Sequence, residues 1–175
     1  MRPITVILTL LTIAVSHPAN ADDAAKQSEE MKVLGRFIGT WDMDLTINPT
    51  GSDVMKTKKT EIRTWSLGGA FVRFEDAKND KSDGPEFHLL VTYDPTTKTY
   101  PGFMMFGTGR TLVTGTWDAS TSTMTFEGKS PDDGNTFVFK NRFIDGDHAE
   151  STGVMKNAQG EVFVKQSYKQ TRRKK

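Results

Sequence analysis

From Gly39 onward the sequence is a succession of short segments in which apolar and polar residues alternate. The first segment places Trp41, Met43 and Leu45 at every second position, with polar residues between them. A period of two is typical of a strand with one apolar face. Because every strand needs partners for its backbone hydrogen bonds, this succession constrains the fold more than any other feature.

Turn signals rich in Gly, Pro, Asn and Asp separate these segments. Ten strands are predicted, over residues 41–47, 54–67, 70–77, 87–93, 99–106, 110–117, 121–128, 136–144, 148–156 and 161–169. The links are short and contain no helix, so neighbouring strands are expected to be antiparallel. Closure would remove the two open edges. The sequence therefore predicts an all-β, ten-stranded antiparallel up-and-down barrel, with a β-sandwich as the alternative.

The first 21 residues have the organisation of a secretory signal peptide. Arg2 supplies a positive charge, residues 4–15 form an apolar run, and Ala19-Asn20-Ala21 is a small-residue cleavage site. The run is shorter than the roughly 20 residues that a spanning helix needs. A mature chain beginning near Asp22 is predicted, periplasmic or secreted and with no integral membrane segment.

One helix is predicted ahead of the strands, over residues 22–38. Strong helix formers fill its first half, and Met31, Leu34 and Phe37 recur at helical spacing. The expected organisation is a signal peptide over 1–21, this helix, a barrel domain over 39–170 and a basic tail over 171–175.

Composition excludes several classes of protein. The chain has 23 Lys and Arg residues against 22 Asp and Glu, and five of the basic residues lie within 169–175. The body is therefore mildly acidic, which argues against nucleic-acid binding. The absence of cysteine excludes disulfides, thiolate nucleophiles and cysteine-bound metals. With only His88 and His148 beyond the signal peptide, a histidine-built metal site is not predicted, nor is any cofactor.

Three motifs occur together in a fixed order: Leu34–Trp41 (LGRFIGTW), Arg63–Gly69 (RTWSLGG) and Leu89–Pro95 (LLVTYDP). This order resembles domain of unknown function 1579, a family of exported bacterial proteins, over roughly residues 28–170. The family is similar in shape to lipocalins, fatty-acid-binding proteins and nitrobindin. The resemblance implies a calycin-like barrel and leaves the activity open.

The resemblance also implies a structural role for the Gly-x-Trp motif. In lipocalin-like barrels the tryptophan plugs the closed end and packs beneath a basic side chain of the last strand. Here Gly39 and Trp41 would form the plug, and Lys169 or Arg172 would cover the indole.

The candidate interior residues are mostly large and apolar. Phenylalanines and methionines at alternating strand positions would make either a solid core or an apolar cavity. Met104, Phe106 and Trp117 are the candidate apolar contacts for a ligand. Arg110 is the candidate partner for a ligand carboxylate, and His88 is the candidate polar ligand contact.

No catalytic constellation is evident. A Gly-x-Ser-x-Gly motif is absent, and the paired acids lie in turns or on polar strand faces. The resemblance to nitrobindin suggests a haem site. A histidine near the end of the chain would have to bind the haem, and the last predicted strand, 161–169, has none. The leading hypothesis is a non-catalytic binder of a small apolar molecule. The alternatives are an interaction module without a cavity and a calycin-type, haem-dependent enzyme, and the oligomeric state stays open.

Overall fold

The computed structural model describes residues 28–77 and 86–174. The predicted signal peptide, the first six residues of the predicted helix and the polar loop 78–85 lie outside the described residues. The elements are α1 (Glu29–Gly35), β1 (Gly39–Pro49), β2 (Met55–Ser66), β3 (Phe71–Asp76), β4 (Phe87–Val91), β5 (Tyr100–Phe106), β6 (Gly109–Asp118), β7 (Thr123–Lys129), β8 (Thr136–Phe143), β9 (His148–Lys156) and β10 (Val162–Arg172).

The ten strands form one closed antiparallel barrel. Each strand pairs with its neighbour in the chain, and β1 also pairs with β10, opposite Lys165 at Asn48 and opposite Arg172 at Trp41. Closure gives the first and last strands a partner on both sides, which removes the open edges of a flat meander. The predicted up-and-down barrel with one N-terminal helix is confirmed, and the sandwich alternative is wrong.

Helix α1 is shorter than the sequence predicts at its C-terminal end. Ser28 caps its first turn by accepting a hydrogen bond from the Met31 amide at 3.2 Å. The helix ends at Gly35 rather than at Ile38. The chain turns there because Phe37 leaves the helical face and enters the barrel, where it is buried among aromatic rings.

The closed end of the barrel is a solid aromatic plug. Phe37 lies 4.8 Å from Phe143 and 5.3 Å from Phe74, measured between ring centroids. Trp41 is fully buried, and its indole N–H donates to the Phe37 carbonyl at 2.7 Å. This bond satisfies the one polar atom of the indole, so the ring can be core. Trp41 therefore stands where the Gly-x-Trp motif predicted.

Arg172, not Lys169, covers the tryptophan. The Arg172 guanidinium carbon is 4.6 Å from the centroid of the Trp41 ring, and its Nη1 and Nη2 donate to the carbonyls of Ile38 and Arg36. Lys169 is exposed and pairs in register with Asp44 on the outer face. Side chains alternate between faces along a strand, so an odd-numbered residue of β10 cannot reach the indole.

The last strand also runs farther than predicted. It extends through Arg172, so two residues assigned to a basic tail belong to the sheet. Arg173 continues the contact, because its guanidinium donates to Asp42 at 2.6 Å. The hydrogen bonds from Arg173 and Thr60 lower the pKa of the Asp42 carboxyl below its ordinary value.

Replacing Arg172 tests this arrangement. We expect Arg172→Ala to reduce the free energy of unfolding by about 2 kcal/mol or more, since a cation–π contact and charge-assisted hydrogen bonds are lost. Lys169→Ala, the matched change on the outer face, should stay within about 0.5 kcal/mol of the parent protein. Urea unfolding measures both. Equal losses in the two variants would refute the assignment.

Candidate ligand-binding site

A cavity of about 1270 Å³ occupies the barrel above the aromatic plug. Its deepest side chains, Arg63 and Gln170, lie next to the plug, and the cavity extends past Lys59 and Tyr168 toward the other end of the barrel. That end is bordered by residues such as Ile47 and Phe106. The volume exceeds what small-molecule sites typically occupy, about 300–1,000 Å³, so the barrel is not filled by its own side chains.

One side of the cavity is an apolar wall. It is formed by the apolar members among the inward residues of β3 to β9. The wall comprises Phe74, Phe87, Leu89, Met104, Phe106, Val113, Phe126, Phe137, Phe139 and Met155. Such a surface favours apolar ligand groups, because water is displaced from both partners on binding.

Three glycines keep the aromatic wall out of the cavity space. Gly115, Gly128 and Gly153 are paired across the sheet with Phe126, Phe137 and Phe139 respectively. At each position a Cβ would collide with the ring of its phenylalanine partner. Each ring thus rests on a strand that has no side chain beneath it. An isolated glycine within a strand pattern is the sequence signal for such a close approach.

The opposite side of the cavity carries a buried polar cluster centred on Arg63. Its guanidinium donates twice to Glu61 Oε2, at 3.0 and 2.9 Å, and once to Gln170 Oε1 at 2.6 Å. It also lies near the ring centroids of Trp41 and Phe74, at 5.1 and 5.2 Å. Arg63 is only 3% exposed, and this burial lowers the pKa of its guanidinium while Glu61 opposes the shift.

A chain of hydrogen bonds extends from Arg63 across three strands. Gln170 Nε2 donates to the Ser151 hydroxyl and, at 3.4 Å, to Asn141 Oδ1. The Ser151 hydroxyl donates to the same Asn141 oxygen at 2.6 Å. The chain connects β2, β10, β9 and β8, so the floor of the cavity ties four strands together.

A second charged pair lies higher in the cavity. Lys59 Nζ is 2.5 Å from Asp76 Oδ1 and 3.5 Å from Glu61 Oε1, and it sits 4.7 Å from the centroid of Phe87. Burial raises the pKa of the Asp76 carboxyl, and Lys59 opposes the shift. Both Asp76 and Lys59 are largely buried, so their charges depend on each other for compensation.

Tyr168 completes the polar side of the site. It lines the cavity between Gln166 and Gln170 on the inward face of β10. Burial raises the pKa of its phenol, and the nearby Glu61 charge acts in the same direction. The phenol therefore keeps its proton at neutral pH and can donate a hydrogen bond.

Two predicted ligand contacts line the cavity, and a third lies beneath it. Met104 and Phe106 belong to the apolar wall, as the strand alternation indicated. Trp117 instead packs at the closed end, 6.2 Å from Phe143, with the Arg36 guanidinium 5.2 Å from its centroid. Trp117 is therefore part of the plug and does not line the cavity.

The two predicted polar contacts lie on the outer face. Arg110 is exposed and pairs in register with Met105, an outward residue of β5. His88 also pairs with Met105, and its Nε2 is 3.2 Å from Glu86 Oε1. The structure corrects both predictions, because successive side chains of a strand point to opposite faces. The inward residues are their direct neighbours, Phe87 and Leu89 of β4 and Thr111 of β6.

The residues that the sequence reasoning missed are the inward polar ones. Lys59, Glu61 and Arg63 occupy alternate positions of β2, and that alternation of charged residues was the available signal. It was hidden because the same stretch has Lys58 and Thr60 on its outer face. Hydropathy cannot separate two polar faces of one strand.

Within residues 28–77 and 86–174, no group of three His, Cys, Asp or Glu side chains is arranged to hold a metal ion. In the same described part of the chain, no helix is long and apolar enough to cross a membrane.

Sequence comparison agrees with the motifs described above. The model of the family "Protein of unknown function (DUF1579)" matches residues 26–172. The chain belongs to this family. No curated protein matches the chain.

Solved structures share the barrel fold. An S-type phycobiliprotein lyase, CPES from Guillardia theta, is 10% identical and has a TM-score of 0.61, covering 89% of this chain and 99% of its own. Rv2717c from M. tuberculosis is 12% identical with a TM-score of 0.65, covering 85% of this chain and 100% of its own. At these identities the similarity concerns the fold alone.

Filling one glycine position tests the origin of the cavity. In Gly153→Ala the new methyl group would meet the Phe139 ring and the Gln166 Cγ, which lies 2.7 Å from the ideal Cβ. We expect a loss of about 1–3 kcal/mol in the free energy of unfolding from overpacking. Gly146→Ala is the control, because its Cβ would meet nothing within 4 Å. Thermal or urea unfolding compares the two, and an unchanged Gly153→Ala protein would contradict the close packing.

Proposed function

We propose that this member of the DUF1579 family binds a small, predominantly apolar molecule inside its barrel. The observation that carries the proposal is the cavity itself, about 1270 Å³ in volume, with an apolar wall on one side and a compensated polar cluster on the other. A ligand whose body contacts the wall and whose polar end reaches the cluster would leave no buried polar group unpaired.

The barrel neighbours give this proposal a second, weaker support. One of them is a phycobiliprotein lyase, and a barrel interior is the natural place for a protein of this shape to receive a small molecule. A catalytic role is not proposed, since the charged side chains of the cavity pair with one another.

An uncharged fluorescent probe, N-phenyl-1-naphthylamine, tests binding inside the barrel. Met104 and Met105 are adjacent, but Met104 lines the cavity whereas Met105 is 41% exposed on the outside. We expect the probe to bind the parent protein with increased fluorescence. Met104→Asp should weaken binding about tenfold, because a carboxylate in the wall must be desolvated. Met105→Asp should bind as the parent does.

Circular dichroism of both variants controls for folding. Loss of binding in Met105→Asp alone would place the probe on the outer face and contradict the proposal. The parent protein failing to bind the probe would also count against it.

We also propose that the chain is exported and processed. The support is the sequence alone: the positive charge of Arg2, the apolar run over 4–15 and the Ala19-Asn20-Ala21 site. The expected mature protein begins near Asp22. Intact-mass measurement of the protein from the exported fraction of an expressing bacterium gives the answer, and a chain that still carries residue 1 there would refute processing.

A further inference from the structure

We infer that the ligand presents an uncharged hydrogen-bond acceptor, such as a ketone, ester or amide carbonyl, to Asn141 and Tyr168 at the polar side of the cavity. This inference rests on the proposed binding function and narrows the chemical class of the ligand. It is carried by two independent observations: how the buried charges are paired, and which polar atoms are left over.

Both buried cations of the cavity already have anionic partners, so neither carries a free positive charge for a ligand carboxylate. Arg63 donates to Glu61 and Gln170 through Nε and Nη2, which leaves only Nη1 without a hydrogen bond in the described part of the chain. Its guanidinium carbon also lies 5.1 and 5.2 Å from the ring centroids of Trp41 and Phe74. Lys59 contacts Asp76 and Glu61, and the Phe87 ring covers a further direction. Cations that are already neutralised and packed offer no binding energy for a second anion.

The charges of the cavity also balance. Among the described residues, its inward charges are the cations Lys59 and Arg63 and the anions Glu61 and Asp76. Lys58 and Glu86, at the border, pair with the exposed Asp44 and with His88 on the outer face. A charged ligand group would therefore bring an uncompensated charge into a partly desolvated site, which is costly.

The direction of the hydrogen-bond chain leaves donors at its free end. A guanidinium can only donate, so the atom of Gln170 that faces Arg63 is its carbonyl oxygen, and the amide nitrogen faces Ser151 and Asn141. The Ser151 hydroxyl accepts a hydrogen bond from Gln170 and donates one to Asn141 Oδ1. Asn141 is thereby oriented by Arg63 across two intermediates, with its oxygen consumed by the chain.

The Asn141 amide nitrogen is left facing a site that it lines. It makes no hydrogen bond within residues 28–77 and 86–174, and neither does the Tyr168 hydroxyl in that same part of the chain. Asn141 pairs in register with Ser151, which pairs with Tyr168 on the next strand. These two donors stand at one level of the cavity on either side of Ser151, and the Gln166 amide, also without a hydrogen bond among the described residues, lines the cavity two residues along β10 from Tyr168. A carbonyl oxygen placed at this level of the cavity has donors within the site to accept from.

Displacement of N-phenyl-1-naphthylamine by three nine-carbon compounds tests the inference. At pH 7, 2-nonanone carries an uncharged acceptor, nonanoate a carboxylate and nonylammonium a cation, on chains of matched length. We expect 2-nonanone to bind at least about tenfold more tightly than either ion. Nonanoate binding as well as or better than 2-nonanone would overturn the inference while leaving the proposed function intact, because the probe would still be displaced from the barrel.

A matched pair of phenol deletions locates the acceptor. Tyr168→Phe should weaken 2-nonanone by about 3- to 10-fold relative to the probe, the effect of one hydrogen bond, with the affinity of the probe measured directly in each variant. Tyr93→Phe is the control, since Tyr93 packs against Tyr100 away from the cavity. Equal affinities for 2-nonanone in the parent and both variants would overturn the assigned contact. A parent protein that does not bind the probe at all would instead refute the proposed function.

A substitution that gives the cavity a net charge provides a third test, in which the preference between the ketone and the carboxylate should shift toward the carboxylate. In Glu61→Gln the cavity gains a net positive charge and Arg63 loses its anionic partner, so nonanoate should gain about tenfold or more relative to 2-nonanone. An unchanged ranking in a folded Glu61→Gln protein would overturn the charge argument. If that variant does not fold, the order of affinities for the three compounds, measured on the parent protein and on Tyr168→Phe, still decides the inference.

Discussion

The buried guanidinium of Arg63 is the contact on which the rest of the structure depends. It lies where the aromatic plug ends and the cavity begins, against Trp41 and Phe74 below and with Glu61 and Gln170 at its edge. A charge this deeply buried must be compensated. Its partners come from β2 and β10, so compensation fixes the positions of the two strands that flank β1. A slip of one residue in either strand would turn its partner outward.

Within the described residues, the barrel is filled by side chains at one end and hollow above it because the side chains of the two layers pack differently. Around the plug, Phe37, Trp41 and Phe143 interlock at tilted and edge angles and fill the cross-section. Above it, phenylalanines of the wall rest on cross-strand glycines, so the rings lie close to the sheet and the centre stays free. The aromatic plug thus provides stability and the hollow layer above it provides binding capacity. Because the plug stabilises the fold, the hollow layer can hold charged side chains.

The candidate site was only partly predictable. The apolar wall follows from alternation, which is why Met104 and Phe106 line the cavity as expected. Arg110 and His88 have suitable chemistry, but each lies next to an inward residue, Thr111 and Leu89 respectively, and the alternation of side chains along a strand turns both outward. Arg63 was one of several strand arginines with nothing in its neighbourhood to distinguish it. Lys169 does not contact the indole for the same reason, because its side chain lies on the outer face. Arg172 reaches the indole because β10 continues two residues beyond the predicted barrel domain.

The sequence by itself determined the number of strands, their order around the barrel and the placement of Trp41, because these depend on local alternation, on turn residues and on the lack of crossover helices. Only the tertiary structure decided which face of β2 is inside, which cations are neutralised and whether the centre of the barrel is filled. The physical reason is that a polar side chain is stable in the interior only through its partners. Arg63 finds one partner two residues away and the other 107 residues away, and no local pattern encodes that meeting.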